Sequence, residues 1–330
     1  MAVGDSGFAR DGEPGLIQRE NFTRAWHGRG ARETGLRRHL GRKRVSDFVR
    51  MKLVFIFLSA ALLASPLRAV ESETLSERTL RQIVERQRTL LADAAKQGDK
   101  LDEEGFRTQV QSVVHDYERL LTDSPKFAAG YAAYGYLLGK VGMKKESVTM
   151  LLKANQLDSD IPLVKNQIGN YLAEEGKPLE AAPYYLAAIK LEPNEPLYHY
   201  QLGTLLTVAR DDFIKSGEWT RPALDKAMHH AFQRAAELAP DRFEFAYRYA
   251  ESFYDLANPD WDGALKMWAE LEEKAPTPVE RQTMRLHAAN ILVKIGKPDH
   301  ARALLDTVDE PSLATQKQKL VAQLAETAKK

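Results

Sequence analysis

Residues 162–195 are the stretch that most constrains the fold of this chain. Two short amphipathic segments are joined by a Gly-Lys-Pro turn at 176–178, and a Pro-Asn pair at 193–194 ends the second segment. Glycine just after a helix and proline at a helix boundary are typical stop and start signals. A 34-residue unit of two helices is typical of repeat proteins, in which each unit buries its apolar side against its neighbours. We therefore predict an all-α chain of repeated helix pairs.

The same spacing of small and large residues is found on both sides of this stretch. Within 162–195 the pattern consists of Gly169, Leu172, Ala181, Tyr185, Ala188 and Pro193. The preceding unit, at 128–161, supplies Tyr131, Gly135, Leu138, Ser147, Leu151 and Ala154 at the matching places. Further units begin at Pro196, Phe243 and Gln282. Small residues are needed where two helices cross, because a larger side chain would hold their backbones apart.

This pattern resembles the tetratricopeptide repeat family over roughly residues 103–315. The resemblance implies a right-handed superhelical solenoid of about six antiparallel helix pairs. Two residues depart from the family pattern. Lys165 stands where an aromatic residue is usual, and Pro183 lies inside a second helix, which we expect it only to bend.

The N-terminal part of the chain has a different composition. Residues 1–50 contain eleven Lys and Arg against six acidic residues, and we expect them to be disordered. They are either a basic tail that touches nucleic acid or membrane, or a segment that is not translated. Residues 51–69 have the layout of a secretory signal peptide, whose apolar run, 53–64, is too short to span the roughly 30 Å hydrocarbon core of a membrane.

We interpret Met51 as the true start of translation and expect cleavage after Ala69. Since a signal peptide directs export, this predicts a periplasmic or secreted protein of a bacterial type. The protein would be cytoplasmic if the signal is not used.

The rest of the chain divides into a cap, an array and a second cap. Residues 70–125 are predicted to form an N-terminal helical cap or degenerate repeat, with helices at 74–95 and 103–121. The repeat array covers 126–316, and residues 317–330 are predicted to form a C-terminal capping helix, because terminal repeats are usually atypical.

The unit that begins at Pro196 exceeds the 34-residue period, and its extra residues lie at 209–222. Two interpretations stay open. The insertion is a loop in which Phe213 and Trp219 contact a partner, since loops often carry function. Alternatively, it lengthens the helix pair and its apolar residues pack against the neighbouring unit. Met228 in the same unit stands where a small residue is expected.

Composition excludes several classes of function. The chain has no cysteine, which excludes disulfides, thiolate catalysis and cysteine-ligated metals. From Val70 onward acidic residues outnumber basic ones by six, which argues against nucleic-acid binding by the repeat body. We find no nucleotide-binding, hydrolase or zinc-protease motif and predict no enzymatic activity and no cofactor.

No metal site is predicted either. Residues 258–263 imitate the first half of a calcium loop, but position 12 of that loop would be Ala269 instead of a glutamate. We expect an inter-helix turn there, with Asp262 capping a helix that begins at Gly263.

The resemblance also implies a groove lined by the first helix of each unit. Carried onto this chain, the groove residues are Tyr136, Lys140, Asn166, Asn170, Glu174, Tyr200, Thr204 and Val208. Asparagine and tyrosine side chains can hydrogen-bond an extended peptide. The basic clamp with which some family members hold C-terminal carboxylates is not reproduced, because Ala132 and Tyr200 occupy the places of its lysines.

We therefore predict a non-catalytic protein–protein interaction scaffold that binds a peptide or a helix of another protein in this concave groove. The alternative is a structural subunit of a cell-envelope assembly that uses its edges or convex face. The oligomeric state is left open.

Overall fold

The computed structural model describes residues 73–327, and the predicted tail, signal peptide and cleavage point lie outside the described residues. The described part is all-α and contains fourteen α-helices and no strand. It divides into two compact units, residues 73–157 and residues 158–327. The division falls near the boundary between the sequence repeats at 128–161 and 162–195.

The first unit contains four α-helices. They are α1 (Leu75–Gln97), α2 (Glu103–Asp123), α3 (Ala128–Lys140) and α4 (Lys144–Leu157). The first two confirm the helices predicted at 74–95 and 103–121. Thr74 and Glu77 form a capping box at the start of α1, and Asp102 caps α2, so in each helix a side chain accepts from one N–H of the first turn.

Tyr117 lies at the centre of the first unit. It is fully buried, and its hydroxyl donates to Gln87 Oε1 at 2.6 Å, which joins α2 to α1. Its ring stacks on Tyr134 of α3 with a centroid distance of 5.3 Å. A buried hydroxyl needs such a partner, because an unpaired one costs about 1–3 kcal/mol. One side chain thus connects the cap to the first regular pair.

The second unit continues with ten α-helices. They are α5 (Pro162–Glu174), α6 (Pro178–Leu191), α7 (Pro196–Val208), α8 (Arg210–Lys215), α9 (Arg221–Leu238), α10 (Phe243–Ser252), α11 (Trp261–Lys274), α12 (Pro278–Lys294), α13 (Pro298–Asp306) and α14 (Ala314–Thr327). Many begin with proline, whose missing N–H is not needed in a first helical turn. The pairs α5–α6, α7–α9, α10–α11 and α12–α13 correspond to the repeats predicted to begin at 162, 196, 243 and 282.

The turn between α5 and α6 shows how one pair is closed. Gly176 adopts a φ of 73°, which lets the chain leave α5 in the left-handed region. Lys177 then donates its backbone N–H to the carbonyl of Leu172 at 2.9 Å, and Pro178 begins α6. Pro183 lies inside α6 without ending it, and its ring is exposed to solvent.

The helices of a pair approach most closely at the predicted small residues. A Cβ placed on Gly203 of α7 would lie 2.9 Å from two ring carbons of Phe232 in α9. A Cβ on Gly169 of α5 would lie 3.0 Å from the ring of Tyr185 in α6. Ala181 and Ala235 are completely buried. The small residues therefore make room for aromatic rings of the partner helix.

The insertion at 209–222 is mainly structural. It contains the short helix α8, and Phe213 within it is only 2% exposed. The side chain of Phe213 packs in one core cluster with Leu224 and Met228 of α9, and the ring of Trp219 meets that of Phe213 edge-on at 6.5 Å. These contacts favour the interpretation in which the insertion lengthens the helix pair. Met228 is accommodated because it belongs to this added core.

The turn before α11 departs from the predicted detail. The helix begins at Trp261, not at Gly263, and Asp260 caps it, with Oδ1 accepting from the Gly263 N–H at 2.9 Å. The prediction that Asp262 is the cap was wrong by two residues. Asp260 is the cap because its backbone, with φ −74° and ψ 89°, lies outside the helical region while its carboxylate reaches the first turn.

The last repeat ends in a polar clamp where earlier units have a proline. The side chain of Gln282 in α12 accepts from the N–H groups of Asp309 and Glu310, both at 2.8 Å, and donates to Asp309 Oδ1 at 2.6 Å. Helix α14 follows, overlapping the segment predicted as a C-terminal helix, and buries Leu320 and Leu324 against this unit.

No helix within residues 73–327 has the length and apolar character needed to cross a membrane.

We expect Gly203→Ala to lower the free energy of unfolding by about 1–3 kcal/mol, because the added methyl overpacks the buried ring of Phe232. Helix propensity alone predicts the opposite, a gain of about 1 kcal/mol. Urea unfolding followed by circular dichroism measures the difference. Gly139→Ala is the matched control, since a Cβ there meets only the Ser147 side chain, and it should be close to neutral. A Gly203→Ala protein as stable as the original would contradict the close approach.

Replacing Gln282 by alanine should loosen the segment at 307–313, because two backbone N–H groups lose their acceptor. The expected cost is about 2–4 kcal/mol, with faster amide exchange confined to this segment and α14. Gln316→Ala in α14 is the control. Unchanged exchange in the Gln282→Ala protein would mean that the clamp does not hold the segment.

Candidate functional site

The predicted groove residues of the first unit lie together on α3. Tyr136 and Lys140 are one helical turn apart, and the Lys140 ammonium lies 5.3 Å from the centre of the Tyr136 ring. Burial raises the pKa of Tyr136 to about 12 and lowers the pKa of Lys140. The pair is therefore a partly desolvated cation held against an aromatic ring.

The predicted residues on α5 differ strongly in exposure. Asn166 is completely buried, and neither its amide nitrogen nor its amide oxygen has a hydrogen-bond partner. Asn170 is half-buried, and its Oδ1 accepts from the Tyr185 hydroxyl at 2.7 Å. Glu174 is exposed. The structure thus presents Glu174 and part of Asn170 to solvent, whereas Asn166 has no surface for a partner to contact.

Tyr200 of α7 is held by the next repeat. Its hydroxyl donates to Glu244 Oε1 of α10 at 2.8 Å, and its ring lies 4.7 Å from that of Phe245. Burial is the main reason that the pKa of Tyr200 is raised, and the neighbouring Glu244 carboxylate adds to it. Thr204 donates to the backbone carbonyl of Tyr200 at 2.9 Å. Both predicted residues are half-buried and already hydrogen-bonded within the protein.

The two predicted residues of the insertion differ in their exposure to solvent. Phe213 is in the core, so the structure does not present it to a partner. Trp219 is half-buried against it, with part of its ring accessible. Of the two predicted residues, only Trp219 is therefore accessible to a partner.

A polar and aromatic surface that sequence reasoning missed continues on α10 and α12. The hydroxyl of Tyr254 lies 3.3 Å from His287 Nδ1 and also hydrogen-bonds Asn290. The hydroxyl of Tyr247 lies 3.2 Å from His287 Nε2. We call the side of α7, α10, the following 3₁₀ turn Phe253–Asp255 and α12 the first-helix face, and it carries Tyr200, Glu244, Tyr254 and Asn290.

His287 joins this face to the core. Its ring stacks on Trp268 at 4.0 Å with an interplanar angle of 5°, and a tyrosine hydroxyl meets each ring nitrogen. Burial disfavours the charged form and lowers the pKa of His287 to about 4. The ring is therefore neutral at neutral pH. A sequence signal existed in the tyrosines seven residues apart at 247 and 254, but their common partner lies over thirty residues away.

At the end of the first-helix face, Trp261 is half-buried beside Tyr254, with ring centroids 5.7 Å apart. The ammonium of Lys294, an exposed residue, lies 5.6 Å from the Trp261 ring. Within residues 73–327 no group of three or more His, Cys, Asp or Glu side chains is arranged to hold a metal ion.

Lowering the pH from 6.5 to 4 should destabilise the protein, in part through His287. Its folded pKa lies below the ordinary value of 6.5, so the unfolded chain takes up a proton first. The loss attributable to this group is at most about 3 kcal/mol. The melting temperature of a His287→Phe protein should therefore fall less steeply over this range, while His115→Gln, at an exposed site, should behave like the original protein. Equal slopes for the original and His287→Phe proteins would contradict the depressed pKa.

Known proteins resemble this chain in the sequence of one repeat and in the fold. Residues 164–195 match the family model described as a tetratricopeptide repeat. No curated protein matches the chain.

Several solved structures are similar to this chain. That of Pseudomonas aeruginosa pilF has a TM-score of 0.53 and 14% identity, with 76% of this chain and 100% of that chain covered. YrrB, described as a TPR protein with an unusual peptide-binding site, has a TM-score of 0.49 and 19% identity, covering 64% and 97%. A tetratricopeptide repeat protein from Parabacteroides merdae has a TM-score of 0.44 and 12% identity, covering 76% and 93%. At these identities the likeness concerns the fold alone.

The matched residues 164–195 coincide with α5, α6 and the turn between them, whose glycine and alanine crossings are described above. Helix pairs of the same construction precede and follow them. Residues 164–195 of this chain therefore form a tetratricopeptide repeat.

Proposed function

We propose that this protein is an interaction scaffold that captures a peptide or a helix of another protein along the first helices of its repeats. A tetratricopeptide repeat supports a protein–protein interaction scaffold as the general role. The observation that carries the finer proposal is the run of half-buried polar and aromatic side chains on the first-helix face, which contrasts with the alanine-rich packing beneath it.

The charges near this face are largely paired. Glu244 Oε2 lies 3.7 Å from an Arg242 nitrogen in addition to its bond from Tyr200, and Glu251 pairs with Arg248. Long-range attraction of a strongly charged partner is therefore not the main expected source of affinity. Instead, we expect aromatic contact with Trp261 and Tyr254 and hydrogen bonds to a peptide backbone.

The exposed ends of α5 and α7 extend this surface. Val208, at the end of α7, is 82% exposed, and Glu174 ends α5. An exposed apolar side chain beside half-buried polar ones suits an extended peptide, which buries apolar side chains and also needs hydrogen bonds for its backbone.

The alternative is a structural subunit of an envelope assembly that uses the outer side of the second helices. One observation favours it. Leu179 and Leu186 of α6 are 43% and 51% exposed, and the exposed Pro183 lies between them on the same side of the helix. Exposed apolar patches often mark protein contacts, although this one is small.

Two double variants should separate these functions. Glu174→Arg with Val208→Arg alters exposed positions of the first helices, whereas Leu179→Arg with Leu186→Arg alters the outer side of α6. Each is used to isolate partners from envelope and soluble fractions, with quantitative mass spectrometry. We expect the first variant to lose at least about 90% of a specific partner, equivalent to more than 1.4 kcal/mol, and the second to retain it.

The reverse pattern would favour the structural subunit. Circular dichroism of both variants controls for folding, which should be unchanged because all four side chains are exposed.

We also propose that the protein is exported and that its signal peptide spans residues 51–69. N-terminal sequencing of the protein from its native cell should begin at Val70. A first residue upstream of Met51 would contradict both the proposed start and the proposed cleavage.

A further inference from the structure

We propose that Arg210 is a positioning residue that fixes the insertion to the next repeat and thereby holds Tyr254 in place on the first-helix face. Any effect of Arg210 on partner binding rests on the proposed function. The coupling between the insertion and the position of Tyr254 does not. The insertion then acts as a brace between two successive repeats.

Arg210 of α8 contacts two other elements at once. From the start of α8, its Nε lies 3.0 Å from Asp225 Oδ1 of α9, and its Nη2 lies 3.2 Å from Asp255 Oδ1 in the 3₁₀ turn Phe253–Asp255. Nη2 also lies 3.5 Å from Met228 Sδ. A planar guanidinium can face several acceptors in one fixed geometry, which a lysine ammonium on a flexible stem cannot reproduce.

The three charged groups are poorly exposed. The side chains of Arg210, Asp225 and Asp255 are 11%, 5% and 10% exposed. Two carboxylates this poorly hydrated need a cation close by, because removing one partner of a buried pair leaves an uncompensated charge. Arg221 supplies a second cation to Asp225, with Nε 2.5 Å from Oδ2, but its side chain is 48% exposed. Arg210 is the group that connects Asp225 with Asp255.

The Asp255 contact bears directly on Tyr254. Helix α10 ends at Ser252, so Tyr254 is placed by a short turn and not by a continuous helix. Phe253 anchors one side of this turn in the core, and Asp255 is held by Arg210 on the other. Tyr254, between them, hydrogen-bonds His287 and Asn290 of α12. The brace therefore extends from the insertion to the first helix of the last repeat.

The insertion is rigid enough to serve as a brace. Phe213, one turn after Arg210, is 2% exposed and packs with Leu224. The hydroxyl of Ser216 donates to the carbonyl of Phe213 at 2.7 Å and closes α8. Arg210 is thus presented from a fixed helix, and the position of its guanidinium is determined on the insertion side as well.

Hydrogen–deuterium exchange of the full chain without any partner tests the coupling. In Arg210→Gln and in Asp255→Asn, we expect amides at 253–257 to exchange at least about tenfold faster. The matched control is Arg221→Gln, which removes the other partner of Asp225 and should leave exchange at 253–257 within about twofold of the original.

The nuclear magnetic resonance signals of the His287 ring provide a second readout, because they respond to movement of the Tyr254 hydroxyl. They should shift in Arg210→Gln and Asp255→Asn and stay in place in Arg221→Gln.

Two outcomes would overturn the inference. One is faster amide exchange confined to 209–222, which would mean that the insertion is not coupled to the turn at 253–257. The other is an equal effect of Arg221→Gln, which would mean that only the charge balance around Asp225 matters. If Arg210→Gln does not fold, Asp255→Asn decides, because it leaves the Arg210–Asp225 pair intact. Since no partner is present, failure of the proposed function leaves these results unaffected.

Discussion

The structure depends on the close approach of the two helices within each pair. Gly203 faces the ring of Phe232, Gly169 faces that of Tyr185, and Ala181 and Ala235 are completely buried. Because an added methyl would meet a buried aromatic ring, these positions set how deeply one helix can sit against the other. The aromatic rings in turn fill the space that the small residues leave. Packing within a pair therefore determines which surfaces remain for contacts between pairs.

The fold could be predicted from local sequence because its determinants are local. Proline at the starts of α5, α6 and α7, glycine at 176 and the small residues at the crossings lie within one or two turns of the feature they control. The cap of α11 was misplaced because Asp260 and Asp262 are both suitable residues, and only the backbone conformation before the helix distinguishes them. The insertion could be recognised because it breaks the 34-residue period. Its packing could not be predicted, because Phe213 contacts residues of α9 that no sequence pattern links to it.

The candidate site was less predictable because its contacts join distant residues. The family pattern identified Tyr200 and Asn170 but not what they bind, and the acceptor of the Tyr200 hydroxyl lies 44 residues away. It placed Asn166 on the groove, whereas packing buries that side chain completely. The link from Arg210 to Asp255 also spans separate elements and has no motif. The exposure and hydrogen bonding of a side chain at a given repeat position depend on the neighbouring repeats. The family pattern assigns residues by their position within one repeat and carries no information about those neighbours.

The internal hydrogen bonds of the first-helix face have a consequence for the lifetime of a complex. A partner that accepts a hydrogen bond from the Tyr200 or Tyr254 hydroxyl must displace its present acceptor on Glu244 or His287, so the net gain is only the difference between two bonds of similar strength. The polar contacts then contribute discrimination between partners more than tight binding. Residence time on such a face is set mainly by the apolar area that the partner brings, and a short segment is released quickly. Under the proposed function, this face therefore suits repeated capture and exchange of partners.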